Sequence, residues 1–190
     1  MNATTILLAG VGGQGTILAA DLLAHAASAA GLDVKVSEIH GMAQRGGSVS
    51  TVVRFGDAVD SMVTDFGSAD CIVSFETTEA LRNLPFLKEG GFLLVNDETI
   101  KPLPVLTGKA GMPAKVHERL SELGALVIPA TQLAIDAGNA KASNVVLLGA
   151  LSNKLSFPIE AWTETIAKRV PPKTIECNLT AFESGRAYAC

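Results

Sequence analysis

Thr4-Thr5-Ile6-Leu7-Leu8-Ala9-Gly10-Val11-Gly12-Gly13-Gln14-Gly15-Thr16 decides the fold of this 190-residue chain. A short apolar run ends in a cluster of glycines. The segment 16–30 then places Ile17, Leu18, Ala20, Leu22, Leu23 and Ala26 at helical spacing and stops at Gly31, a residue suited to the left-handed turn that closes a helix. Val34, Val36 and Ile39 mark a second strand. Strand, glycine turn, helix and strand within the first forty residues or so make a βαβ unit.

Outward from that unit the alternation continues. Residues 48–55 read as a strand, Gly56-Asp57 as a turn, and 58–63 as a strand pairing back in a hairpin. Residues 70–75 form a buried strand, 77–88 a helix closed by Gly90-Gly91, and 92–95 a further strand. The segment 101–113 holds three prolines and two glycines and reads as a loop. A helix at 114–123, a strand at 125–128 and a short helix at 131–137 follow. Helical patterns then cover 144–155, 159–169 and 174–188. There is no internal repeat and no linker. The expected fold class is α/β: a three-layer sandwich with a Rossmann-like, mostly parallel sheet and a short antiparallel excursion, in one domain spanning 1–190.

Composition narrows the function. Hydrophobic residues make up 48% of the chain, charged residues 18% and aromatics 5%, so Ala, Val, Leu and Ile carry the core. That surplus leaves apolar surface for a partner, and a homodimer or a sticky monomer is expected when the chain is expressed alone. A net charge of −4 with scattered Lys and Arg excludes a nucleic-acid footprint. Three separated cysteines, Cys71, Cys177 and Cys190, match no disulfide or metal pattern, and three thiols cannot by themselves ligate an iron–sulfur cluster. No metal site is expected. With no signal peptide and no membrane-length apolar run, a cytoplasmic protein is expected.

Gly10, Gly12 and Gly15 fit GxGxxG between a strand and a helix. The first allows a tight turn, the second lets backbone approach a phosphate, and the third lets helix pack on strand. The residues Gly13, Gln14, Gly15 and Thr16 would present backbone N–H groups to an anion. Glu38 ends the second strand, where a dinucleotide fold places the acid that holds a ribose. Three readings stay open on these residues: a phosphate or other anion site, a nicotinamide or flavin site, and a tight turn that binds nothing.

A second polar block follows: Glu38-Ile39-His40-Gly41-Met42-Ala43-Gln44-Arg45-Gly46-Gly47-Ser48. It lies between two strands at the carboxyl edge of the sheet, where open α/β folds keep their sites. Gly46 and Gly47 free the backbone, and Arg45 can hold a carboxylate or phosphate through paired hydrogen bonds. Together with the first glycine loop it should form one electropositive concavity.

Gly10-Val11-Gly12-Gly13-Gln14-Gly15, with Gln44-Arg45-Gly46-Gly47-Ser48 after it, resembles the gamma-type domain of the thiamine-diphosphate-dependent 2-oxoacid:ferredoxin oxidoreductases. The longer string from Ser37 to Ser48 is similar to the indolepyruvate branch in particular. Asn144-Val145-Val146-Leu147-Leu148-Gly149-Ala150 also resembles a family feature, and the likeness covers essentially the whole chain. The resemblance implies a small subunit that is inactive alone. Its large (alpha) partner would carry thiamine diphosphate and the iron–sulfur clusters, decarboxylate an aryl 2-oxoacid such as indolepyruvate, pass electrons to ferredoxin and acylate coenzyme A. This chain would hold no cofactor tightly and no catalytic residue, with a coenzyme A contact drawn from Gly10, Gly12, Gly13, Gln14, Gly15, Thr16, Glu38, His40, Gln44, Arg45, Gly46, Gly47 and Asn144. The alternatives are a small subunit acting on another 2-oxoacid, a free-standing Rossmann-type dinucleotide-binding protein, or a scaffold whose loop binds nothing.

Glu38 and His40 could move a proton or simply tie the loop together. His25 and His117 read as ordinary helix residues, Lys109 as a chance match to a P-loop ending, and Trp162 as a packing or interface anchor.

Overall fold

The computed structural model describes residues 3–40 and 46–189, with His40 by its backbone alone. Among the described residues six strands make one sheet in the order β2-β3-β1-β4-β5-β6. They are β1 (Thr4–Val11), β2 (Asp33–His40), β3 (Ser48–Gly56), β4 (Ala69–Ser74), β5 (Leu87–Asn96) and β6 (Leu126–Ile128). The pairs β1–β4, β4–β5 and β5–β6 are parallel, whereas β3 runs antiparallel to both β1 and β2. The expected α/β sheet is therefore present, but its second strand does not lie beside its first. β3 is inserted between them, unlike a dinucleotide fold, where the first two strands are neighbours.

Helices cover both faces. α1 (Thr16–Ala29), α5 (Ala130–Asp136), α6 (Ser143–Ser152), α7 (Ile159–Arg169) and α8 (Ile175–Tyr188) pack on one side with Ile6, Leu8, Val53, Phe55, Val73 and Leu94. α2 (Thr77–Asn83) and α4 (Val116–Glu122) cover the other, over Leu7, Val52, Ile72, Leu93 and Val95. Alternate residues of β1, β4 and β5 thus enter two different cores. This is why those strands read as unbroken apolar runs rather than as alternating ones. α6 is buried along its whole length from Asn144 to Ser152. It crosses α8 where two glycines meet: a Cβ on Gly149 would lie 2.0 Å from the Phe182 carbonyl oxygen, and one on Gly185 would lie 1.9 Å from that of Val146. Trp162 is fully buried between Phe157 and Phe182, so it anchors packing within the chain.

Three local expectations are corrected. Residues 58–63 do not return as a hairpin strand. β3 already has a neighbour on each side and offers no edge to a third. Instead Val59 is buried, its N–H donates to Asp33 Oδ2 at 2.8 Å, and Arg54 Nη1 donates to the carbonyls of Ser61 and Val63. The 77–88 helix stops at Asn83, and a 3₁₀ turn, Leu84–Phe86, follows it. Pro85 has no N–H with which to continue a helical ladder. Gly90-Gly91 therefore lies inside β5 rather than after a helix. The register there jumps from Ala69↔Leu87 to Cys71↔Phe92, and Gly90 takes φ +69° in the bulge. The loop 101–113 carries one short helix, α3 (Leu103–Leu106).

Candidate functional site

The carboxyl ends of β1, β4, β5 and β6 lie at one edge of the sheet. The end of β2 and the start of β3 lie there too, because β2 points the same way as β1. Both glycine loops are at that edge, and backbone bonds join them: Gly12 N–H donates to the Gly47 carbonyl at 2.8 Å, and Gly46 N–H to the Gly12 carbonyl at 3.2 Å. Two loops some thirty residues apart in sequence are thus one structural unit. The Gly12 N–H is spent on that junction and is not free for a ligand.

The first loop is held from two further directions. Gln14 turns inward: its Oε1 accepts from Val11 N–H at 2.8 Å and its Nε2 donates to the Phe75 carbonyl at 3.1 Å. This pins the loop to the end of β4. A Cβ on Gly10 would lie 2.9 Å from Gln14 Oε1 and 3.0 Å from Phe75 Cβ, so the tight turn requires glycine there. Gly13 and Gly15 take φ +109° and +82°, which lets the chain enter α1 without a side-chain cap. Asn144, only 2% exposed at the start of α6, donates from Nδ2 to the Gly15 carbonyl at 3.2 Å, while its Oδ1 accepts from Val145 N–H at 2.9 Å. A Cβ on Gly15 would lie 2.8 Å from that Nδ2. The third glycine therefore serves close approach to a buried asparagine of a distant helix.

A cavity of about 400 Å³ opens beside this unit, lined by Gly12, Gly13, Gly15, Thr16, Ile17, Glu38 and Val49. Thr16 and Ile17 of the first turn of α1 line it, and that turn carries the N–H groups a helix leaves without internal acceptors. Glu38, exposed on β2, forms part of the wall. Gly46 and Gly47 line a separate cavity of about 260 Å³ with Ser48, Glu76, Glu79 and Arg82. Gln14 and Asn144 border a third of about 530 Å³ with Glu98, Thr131 and Lys141. The His40 side chain, Gln44 and Arg45 lie outside the described residues, and so does any contact they make.

The sequence reading missed a set of buried polar residues at the same edge. Glu76 is 1% exposed and caps α2, accepting from Glu79 N–H. Burial raises its carboxyl above the ordinary glutamate range, against the hydrogen bonds from backbone N–H groups that lower it. Glu79 accepts from Ser48 Oγ at 2.5 Å and pairs with Arg82 Nε at 2.9 Å, so it ties α2 to the second loop. Asn96 donates to the Phe75 carbonyl at 3.2 Å, to Glu98 at 3.0 Å and to Thr131 Oγ1 at 3.0 Å. The signal was available: Ser74-Phe75-Glu76 and Asn96-Asp97-Glu98 turn polar directly after buried parallel strands, at the edge where sites form.

Among the described residues no group of His, Cys, Asp and Glu is arranged to hold a metal, and no helix is long and apolar enough to cross a membrane. Cys71 is buried, which pushes its thiol far up.

Residues 5–188 match the family model described as pyruvate ferredoxin/flavodoxin oxidoreductase. The chain is 45% identical, over 97% of its length and 95% of the relative's, to "Indolepyruvate oxidoreductase subunit IorB" of Thermococcus kodakarensis. It is 32% identical, over 95% of its length and 92% of the relative's, to "2-oxoglutarate synthase subunit KorC" of Methanothermobacter thermautotrophicus. Among solved structures it is similar to the gamma subunit of a keto/oxoacid ferredoxin oxidoreductase from Geobacter sulfurreducens, with a TM-score of 0.72, 28% identity and 98% of both chains covered.

Proposed function

Because this chain belongs to the pyruvate ferredoxin/flavodoxin oxidoreductase family, we propose that it is the small subunit of an indolepyruvate, or aryl 2-oxoacid, ferredoxin oxidoreductase. It folds as one domain over its whole length and is inactive alone. A large subunit carries thiamine diphosphate and iron–sulfur clusters, decarboxylates the oxoacid, passes electrons to ferredoxin and forms the acyl-coenzyme A. The observation that carries the aryl substrate is the 45% identity to an indolepyruvate oxidoreductase subunit, against 32% to a 2-oxoglutarate synthase subunit.

The joined glycine loops are this chain's contribution to the site. The amides of Gly13, Gly15 and the first turn of α1 suit a phosphate of coenzyme A, since the helix dipole adds to their hydrogen bonds. The Gln14 N–H, by contrast, already donates to the Val11 carbonyl at 3.1 Å. Ile17, 62% exposed, and the buried Val49 supply apolar wall, and Glu38 suits a ribose hydroxyl rather than a second phosphate. When bound, coenzyme A accepts the acyl group. This chain's residues orient the carrier and exclude water from one side of it. Gln14, Asn144 and Glu79 are positioning residues, because their polar atoms are spent on the loops rather than facing a ligand. Gln44, Arg45 and His40 belong to the same block, and Arg45 serves either a phosphate or a carboxylate of the large subunit.

The test is the assembled enzyme's substrate preference. Ferredoxin reduction that requires coenzyme A and runs fastest on indolepyruvate supports the reading. Higher kcat/KM on pyruvate or 2-oxoglutarate overturns the aryl assignment and favours a small subunit of another branch.

A further inference from the structure

The edge of the sheet opposite the glycine loops carries a surface that the site does not use. The 57–68 loop connects β3 to β4 there. It exposes Met62 by 50%, Val63 by 70% and Phe66 by 76% within five residues. This is not a slack loop. Val59 is buried at its start, with its N–H on Asp33. Arg54 clamps its middle through two carbonyls, at 2.7 Å to Ser61 and 3.1 Å to Val63. Ser68 Oγ donates to the Asp65 carbonyl at 2.7 Å, Gly67 N–H donates to the Pro85 carbonyl at 2.9 Å, and the Phe66 ring rests on Phe86 with centroids 4.8 Å apart. A loop fixed at so many points while presenting three large apolar side chains has already met the ordering cost that a flexible binding loop would incur on docking.

We propose that this loop is a docking surface for the large subunit, seating Phe66 and its neighbours in an apolar groove with a basic rim; the inference rests on the small-subunit reading. Charge selects the partner. Between 57 and 68 the sequence holds Asp57, Asp60 and Asp65 and no Lys or Arg, and the Arg54 guanidinium that reaches the loop is engaged with the Ser61 and Val63 carbonyls. A second copy of this chain meeting the loop about a twofold axis would set the exposed Asp60 and Asp65 against their equivalents, which costs binding. Area sets the extent of the contact. The three side chains leave on the order of 350 Å² exposed, a large patch for a monomer yet less than half of the roughly 800 Å² a stable partner covers. The loop is thus the centre of a larger contact, where aromatic anchors carry most of the affinity. Its place at the opposite edge lets it stay docked while the glycine loops are occupied.

The experiment measures assembly of the full chain with the purified large subunit, by titration at two salt concentrations. Phe66→Ser, at an exposed position, should weaken assembly by at least about tenfold while lowering the chain's own melting temperature by only about 1–6 °C, for the lost ring contact with Phe86. Asp60→Lys with Asp65→Lys should slow association and reverse its salt dependence. Unchanged assembly in both variants, with the wild-type chain assembling normally, overturns this inference and leaves the small-subunit reading intact. A wild-type chain that does not assemble overturns both. Self-association lost in Phe66→Ser, with binding of the large subunit unaffected, also overturns it and assigns the loop to a second copy.

Discussion

Asn144→Ala tests how the glycine loop is held. The side chain is 98% buried and makes two bonds, one to the Gly15 carbonyl and one from Val145 N–H. Truncation leaves both groups buried without those partners. Each orphaned group costs about 1–3 kcal/mol, and some of that returns through local relaxation, so a loss of about 3 kcal/mol is expected. For a chain of this size that corresponds to a fall of roughly 6–12 °C in melting temperature. Gly15→Ala should also destabilise, because its φ of +82° costs an L-residue about 1–2 kcal/mol and the new Cβ would press on Asn144 Nδ2. The double variant removes that contact. It should be less destabilised than the two singles summed, by about 0.5 kcal/mol or more. Equilibrium urea unfolding gives all three values, and amide exchange at 12–18 should accelerate selectively in Asn144→Ala. A loss under about 0.5 kcal/mol, or strict additivity in the cycle, would refute the idea that Asn144 holds the loop.

Other outcomes follow from the same structure. Gly149→Ala should cost about 3 kcal/mol or more, or yield insoluble chain, because α6 and α8 must separate to admit a Cβ now 2.0 Å from a carbonyl oxygen; unfolding midpoints check this. Glu76 binds its proton more tightly folded than unfolded, so its contribution to stability falls as pH rises from the ordinary glutamate range through its raised value. Glu76→Gln keeps the cap on Glu79 N–H, should flatten that slope, and should equal or exceed wild-type stability at neutral pH; urea unfolding from pH 4 to 8 reads it. Arg45→Ala in the assembled enzyme should raise KM for coenzyme A with assembly intact if the second loop holds the carrier, and should weaken assembly if it holds a partner carboxylate. No change in either would mean that Arg45 does neither.

Much of this was legible in the sequence for definite reasons. β1, the glycine turn and α1 have a local cause: an apolar run, three spaced glycines and a helical stripe. The late helices were readable because α7 and α8 repeat their apolar positions at helical spacing. That both loops would lie at one edge followed from strand direction, and the Gly12–Gly47 and Gly46–Gly12 bonds join them. What escaped the reading is what sequence distance hides. The insertion of β3 between β1 and β2 depends on its antiparallel pairing with both rather than on any local pattern. Asn144 reads as one polar residue at a helix start, and only the fold brings it to Gly15, 129 residues away. Glu76 and Glu79 were passed over because acids early in a helix are usually solvated, whereas α2 starts inside the edge cluster. Residues 58–63 follow a strand and a Gly56-Asp57 turn as a returning hairpin strand would, but β3 has no free edge for them to join.

The most direct test of the account titrates this chain into the purified large subunit, supplied with thiamine diphosphate, coenzyme A, indolepyruvate and ferredoxin. The account predicts no ferredoxin reduction by this chain alone, and activity that rises with added chain until it saturates at a fixed subunit ratio. Turnover by the isolated chain, or large-subunit activity indifferent to its addition, would contradict it.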